Sequence, residues 1–176
     1  MINPYSLFSV ISDCDTQTAC FRVLNYFDPN RGRNRKTKIL NTSNMNLWSD
    51  ESNKYYEITS TKNLTGYVKN NQFDIILYEP PYNKTITKQS IDSATTFKNI
   101  LSNGALVVCK VNDFKVGNDE TLYGSYELQN AFMQSGFYLM AKIIYRYNPH
   151  GKYLSSFENT DQFTIIHSYF MIFKRK

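Results

Sequence analysis

Long apolar runs are missing from this sequence. No stretch of its 176 residues approaches the ~18 needed to cross a membrane as a helix, which excludes a protein built on membrane-spanning helices. The start, Met1-Ile2-Asn3-Pro4-Tyr5, lacks the basic-then-apolar build of a signal peptide. A cytoplasmic location is therefore expected, with no glycans on the Asn-x-Ser/Thr triplets at Asn41, Asn63 and Asn83. Cysteine and histidine are scarce. Cys14, Cys20 and Cys109 are odd in number and never spaced Cys-x-x-Cys, and only His150 and His167 could join them, so no metal site is expected. The thiols read as buried and reduced. Two histidines, both late in the chain, offer no Ser-His-Asp or Cys-His arrangement, which removes the triad hydrolases. Pro/Gly/Ser-rich linkers and internal repeats are also absent.

What is present suits one packed domain. Apolar residues make up 41%, charged residues 20% and aromatics 15%, and 176 residues can bury a full core. Lys+Arg 20 against Asp+Glu 15 leaves +5, a mildly basic balance that permits a nucleic-acid partner without demanding one.

Leu7-Phe8-Ser9-Val10-Ile11 reads as a buried strand. From Thr16, the residues Ala19, Cys20, Val23, Leu24 and Phe27 recur at helical spacing until Asp28-Pro29-Asn30 stops them. Lys38–Thr42 and Tyr55–Ile58 are short candidate strands. Phe73-Asp74-Ile75-Ile76-Leu77-Tyr78 is apolar on both faces, as a central parallel strand must be. Ile91 to Leu101 predicts a helix capped by Asn103-Gly104, and Ala105–Val111 another buried strand. A helix over Tyr126–Gln134, ended by Ser135-Gly136, leads into strand-like runs at Tyr138–Tyr147 and Phe163–Phe173. Strand, helix, strand repeated and closed by a hairpin gives an α/β fold with a mostly parallel sheet.

The central strand runs into Glu79-Pro80-Pro81-Tyr82. Two prolines keep the chain extended and donate nothing, so their carbonyls can accept hydrogen bonds. With Glu79 as a further acceptor and Tyr82 as a flat face, the segment could hold a planar group bearing an NH2. The alternative is a proline turn that merely ends a strand.

Asp74 to Tyr82 resembles the catalytic motif of the S-adenosylmethionine-dependent amino-methyltransferases, usually Asp/Asn/Ser-Pro-Pro-Tyr/Phe, which methylate adenine N6 or cytosine N4 mainly in DNA. Phe97–Val111, Ser135-Gly136-Phe137 and the hairpin to Lys174 resemble later parts of the same fold. The resemblance implies a Rossmann-like methyltransferase fold of seven strands over residues 1–176, without a separate target-recognition domain. It assigns Glu79 and the Pro80 carbonyl to the two amine hydrogens, with Pro81 beside them and Tyr82 stacking on a flipped base.

The family's cofactor loop is rich in glycine, and the stretch matched to it, Asp13-Cys14-Asp15-Thr16 with its flanks, has none. Ser43 and Asn44 stand where an acidic residue usually meets the ribose, with Glu57 as a substitute. Glu79 is one methylene longer than the usual Asp or Asn. The expected cofactor is S-adenosylmethionine, bound through Asp13, Cys14, Asp15, Thr16, Ser43, Asn44 and Glu57.

Between Arg31 and Lys38 lie five basic residues and no acidic one, of which Arg31, Arg33, Arg35 and Lys36 are candidate phosphate contacts. The alternative is a solvated loop. With no room for a recognition domain, contact with nucleic acid would fall to short loops, a homodimer or another protein. Three functions stay open: amine methylation in nucleic acid, foremost adenine N6 in DNA; a methyltransferase fold without catalysis, serving as a binding module; and methylation of a protein amide. Small size, Asn- and Tyr-rich composition and divergent motifs would suit a virus or mobile element.

Overall fold

The structure, a computed structural model, describes residues 8–12, 14–45, 47, 52–61, 73–80, 86–116, 120–146 and 163–175. Its elements in chain order are β1 (Phe8–Ser12), α1 (Thr16–Phe27), β2 (Thr37–Asn41), α2 (Ser52–Tyr55), β3 (Tyr56–Ser60) and β4 (Phe73–Tyr78). There follow α3 (Ile86–Ile100), β5 (Leu101–Val116), β6 (Glu120–Leu122), α4 (Gly124–Gln134), β7 (Phe137–Arg146) and β8 (Phe163–Arg175).

Among the described residues all strands join one sheet in the order β1-β7-β8-β5-β4-β2-β3, with β6 folded back onto β5. The β1–β7, β5–β4, β4–β2 and β2–β3 pairings are parallel, whereas β8 runs antiparallel to both of its neighbours. This is the expected Rossmann-like class with its C-terminal antiparallel pair. The sheet has eight strands rather than seven because β5 continues past its apolar stretch and turns into β6.

All six residues of β4 are buried, because helices cover both of its faces. On one face, Phe97 of α3 and Leu128 and Phe132 of α4 pack on Ile76, Val107, Cys109 and Phe173. On the other, Ala19, Cys20, Val23 and Leu24 of α1 pack on Ile75, Leu77, Val108 and Ile172. The helical spacing of α1 therefore reads out its buried stripe.

One expected boundary moves. Gly104 does not end a helix; α3 stops at Ile100, and Gly104 (φ 76°) lies inside β5. There it occupies the irregularity that offsets Phe73 opposite Leu101 from Ile75 opposite Leu106. A left-handed backbone at a bulge is a glycine position.

Asp15 caps α1 by accepting from the Thr18 N–H at 2.6 Å, and that hydrogen bond holds its carboxyl below the usual carboxylate range. Ionised Asp15 is thus favoured by the fold. Its contribution is full above the unfolded-chain value and fades as pH falls through the lowered one. Asp15→Ala is expected to lower Tm at neutral pH, and the gap to the native chain should close in scans taken well below pH ~4.

Candidate active site

Parallel strands point their carboxyl ends the same way, and a crevice opens where the chain order reverses. Here β2 leads outward to β3, while β4 leads the opposite way to β5, and β2 and β4 are neighbours. The segments leaving β2 and β4 therefore meet at the switch point.

The segment after β2 is shaped by Asn41. Its side chain accepts from the Ser43 N–H (3.0 Å) and the Ser43 hydroxyl (2.6 Å) and donates to the Met45 carbonyl (2.8 Å). Such local side-chain bonds are what favour Asn in turns. Thr42 N–H and its hydroxyl both donate to the Leu77 carbonyl of β4, at 2.9 and 2.8 Å. Met45 N–H donates to the Ser43 hydroxyl at 3.1 Å, and Asn44 N–H reaches Glu79 Oε2 at 3.4 Å. Four successive backbone donors are used within the protein.

Glu79 lies one residue beyond the Tyr78–Cys109 pair, which puts Lys110 of β5 beside it on the same face. The Lys110 ammonium donates to Glu79 Oε1 at 2.9 Å, with the two side chains only 15% and 9% exposed. Burying two charges is repaid only by close geometry and further hydrogen bonds, and the Asn44 N–H supplies one. Lys110 also lies near Cys20: burial pushes that thiol up to about 12, and the ammonium pulls it slightly back. Burial raises Cys109 well above its ordinary value too, so neither thiol is poised to react.

Glu79, Ser43 and Asn44 of the predicted site are thus together, with Pro80 buried beside Glu79. Asp13, Pro81 and Tyr82 lie outside the described residues. Cys14, Asp15 and Thr16 lie at the end of β1, four strand positions from β4, about 19 Å at ordinary strand spacing. There the Tyr145 hydroxyl bonds the Cys14 carbonyl (3.1 Å) and the Thr16 hydroxyl (3.2 Å). Glu57 is exposed near the start of β3, level with Lys38, at the amino edge of the sheet.

The loop adjoining Glu79 therefore follows β2 rather than β1. Lys110 and Asn41 were not among the expected residues, although a single charge inside the apolar run Ala105–Val111 was a legible sign. Ser60, opposite Asn41 at the exposed end of β3, adds a hydroxyl to the same edge, and Thr61 N–H bonds the Asn41 carbonyl.

The basic segment occupies the amino edge. Arg35 donates to Asp74 (2.8 Å) and Asn30 (2.9 Å), and Lys36 to the Asn53 carbonyl (2.6 Å), so these two brace the loop. Arg31 and Arg33 are exposed.

No protein-family model matches the chain, and no curated protein matches its sequence. Solved structures do match. A methyltransferase from Pyrococcus furiosus superposes with a TM-score of 0.53 at 14% identity, over 92% of this chain and 83% of that one. A candidate S-adenosylmethionine-dependent methyltransferase from Listeria monocytogenes gives 0.52 at 9% identity, over 91% and 98%. A candidate DNA modification methylase from Thermus thermophilus gives 0.49 at 12% identity, over 80% of this chain, which spans about half (53%) of that protein. At such identities the likeness to the Pyrococcus and Listeria structures establishes the fold: a mixed α/β sheet of the Rossmann-like methyltransferase kind.

Proposed function

We propose that the chain is an S-adenosylmethionine-dependent N-methyltransferase acting on an exocyclic amine in nucleic acid, adenine N6 in DNA foremost. The observation that carries the reading is Glu79-Pro80 at the end of the central strand, beside the Asn44 loop, with Glu79 fixed by Lys110.

The side chains at this edge suit the ribose end of the cofactor. Asn44 offers an exposed amide and Ser60 an exposed hydroxyl, and Ser43 shapes the loop between them. Asn44 and Ser60 are the proposed holding residues. When bound, the cofactor supplies an electrophilic methyl group.

The chain's own part is to prepare the amine. An ionised carboxylate has about four acceptor positions, so Glu79 can take a hydrogen of the amine while bonded to Lys110 and Asn44. The Pro80 carbonyl takes the other. Two acceptors out of the ring plane draw the nitrogen lone pair out of conjugation and aim it. Tyr82 would stack on the base. Holding the amine in one orientation supplies most of the rate gain.

A second reading, a methyltransferase fold that binds a partner without catalysis, is favoured by the four loop N–H groups already spent inside the protein. Calorimetric titration with S-adenosylmethionine and its demethylated product separates the two. Binding at micromolar strength, with methyl transfer to DNA that Pro80→Ala/Tyr82→Ala abolishes, is the expected result. A folded protein that takes up neither ligand at millimolar concentration would leave the second reading.

A further inference from the structure

The amino edge of the sheet carries a second charged feature. An open cleft of about 920 Å3 is lined by Arg31, Arg33, Arg35, Lys54 and Tyr55, among others. An adjoining cleft of about 380 Å3 shares Arg33 and Arg35 and runs under β4 and β5 to Lys174. Lys174 reaches this edge because β8 is antiparallel: its last residues lie level with Leu106, near the start of the buried part of β5. The loop before β2 and the last residues of β8 thus line two clefts that adjoin through Arg33 and Arg35 and form one trough.

The two acids that line the clefts, Asp28 and Asp74, are already engaged. Asp74 is paired with Arg35 and accepts from the Lys38 N–H, and Asp28 accepts from Thr37 and the Asn30 N–H. The backbone N–H groups of Arg31 and Arg33 donate to the Asp28 and Asn30 carbonyls, and their guanidinium groups make no hydrogen bond or ion pair among the described residues. Tyr55, 59% exposed, offers a ring at the cleft's rim.

We infer that this trough binds single-stranded nucleic acid, with Arg31, Arg33, Lys54 and Lys174 on successive phosphates and Tyr55 stacked on a base. Cations spaced along a groove follow a backbone without reading sequence, and an exposed ring accepts any unstacked base. From β3 to β8 the trough crosses four strand spacings, about 19 Å, enough for several phosphates. It lies about 17 Å from Glu79, the rise of the five residues from Asp74. The polymer is therefore gripped at one edge of the sheet while the candidate site opens at the other. This rests on the proposed nucleic-acid substrate for its biological sense, but occupancy of the trough can be measured without methyl transfer.

The test is fluorescence anisotropy with a labelled oligothymidylate of about 20 nucleotides, from about 50 to 200 mM salt, on the full chain. Arg31→Ala/Arg33→Ala/Lys174→Ala is expected to weaken binding roughly tenfold and to reduce the salt slope by about two. Tyr55→Ala should weaken it about tenfold with the slope unchanged, and Tyr55→Phe should restore it. A native chain that does not bind the oligonucleotide, a triple variant with native affinity and slope, or equal binding of a duplex of the same length would overturn the inference. Oligonucleotide binding without uptake of S-adenosylmethionine keeps the trough and removes the catalytic reading. Cofactor uptake with binding indifferent to the triple variant does the reverse.

Discussion

Glu79→Leu is expected to destabilise the fold by about 3 kcal/mol, because it strands the Lys110 ammonium in a site only 15% exposed and leaves the Asn44 N–H without its acceptor. For a chain of this length that is a fall in Tm of roughly 10 °C. Lys110→Met should cost a similar amount by removing the cation paired with the buried Glu79 carboxylate. The double variant Glu79→Leu/Lys110→Met should be far less damaged than the sum of the two. Buried ion pairs replaced whole by apolar side chains of similar volume are often neutral, whereas half-pairs are not. Urea unfolding of the four proteins measures the coupling directly. Additive losses would mean that the two charges do not depend on each other, and Lys110 would lose its place in the site. Methyl transfer should be absent from all variants lacking Glu79, including the well-folded double one.

The largest single loss is expected at Phe132→Ala, about 4 kcal/mol. Phe132 is fully buried on α4 and stacks on Phe173 at 4.6 Å between ring centres. It also meets Phe137 at 5.3 Å, Tyr78 at 6.2 Å and Phe97 at 6.3 Å. Five aromatic rings from β4, α3, α4, β7 and β8 share this contact, so no neighbour can collapse into the gap without leaving another. Tyr78 is the residue before Glu79, and the cavity would open directly beneath the candidate site. Denaturant unfolding should show a lower midpoint at unchanged slope. A loss under ~1.5 kcal/mol would show that the cluster relaxes around the hole.

Most of the fold was legible, since β4, α1 and the apolar part of β5 announce themselves by burial pattern. What the sequence could not reveal was the lateral order of strands. Chain order makes β1 look like the first strand of the nucleotide-binding half, which points to Asp13–Thr16 for the cofactor loop. The sheet order sets Cys14–Thr16 at the far edge and gives the position beside Glu79 to Thr42–Asn44. Of the acidic candidates, Glu79 could be found by its motif. Lys110 needed the register of β4 against β5, which is a long-range fact. The split of the basic segment into bracing residues, Arg35 and Lys36, and solvent-facing ones, Arg31 and Arg33, likewise depends on Asp74 and Asn53 arriving from elsewhere.

The antiparallel strand β8 also governs how the chain can assemble. β1 pairs only with β7 among the described residues, and β7 reaches β5 only through β8. β1 thus has no connection to the rest of the sheet until β8, far later in the chain, has docked. Until then β1 and β7 present unpaired edges and the flank of β5 lies open. Pairings of such long sequence separation close slowly, because the loop entropy is spent before the contacts repay it. The interval before β8 docks is the period in which this chain is most exposed to edge-to-edge aggregation.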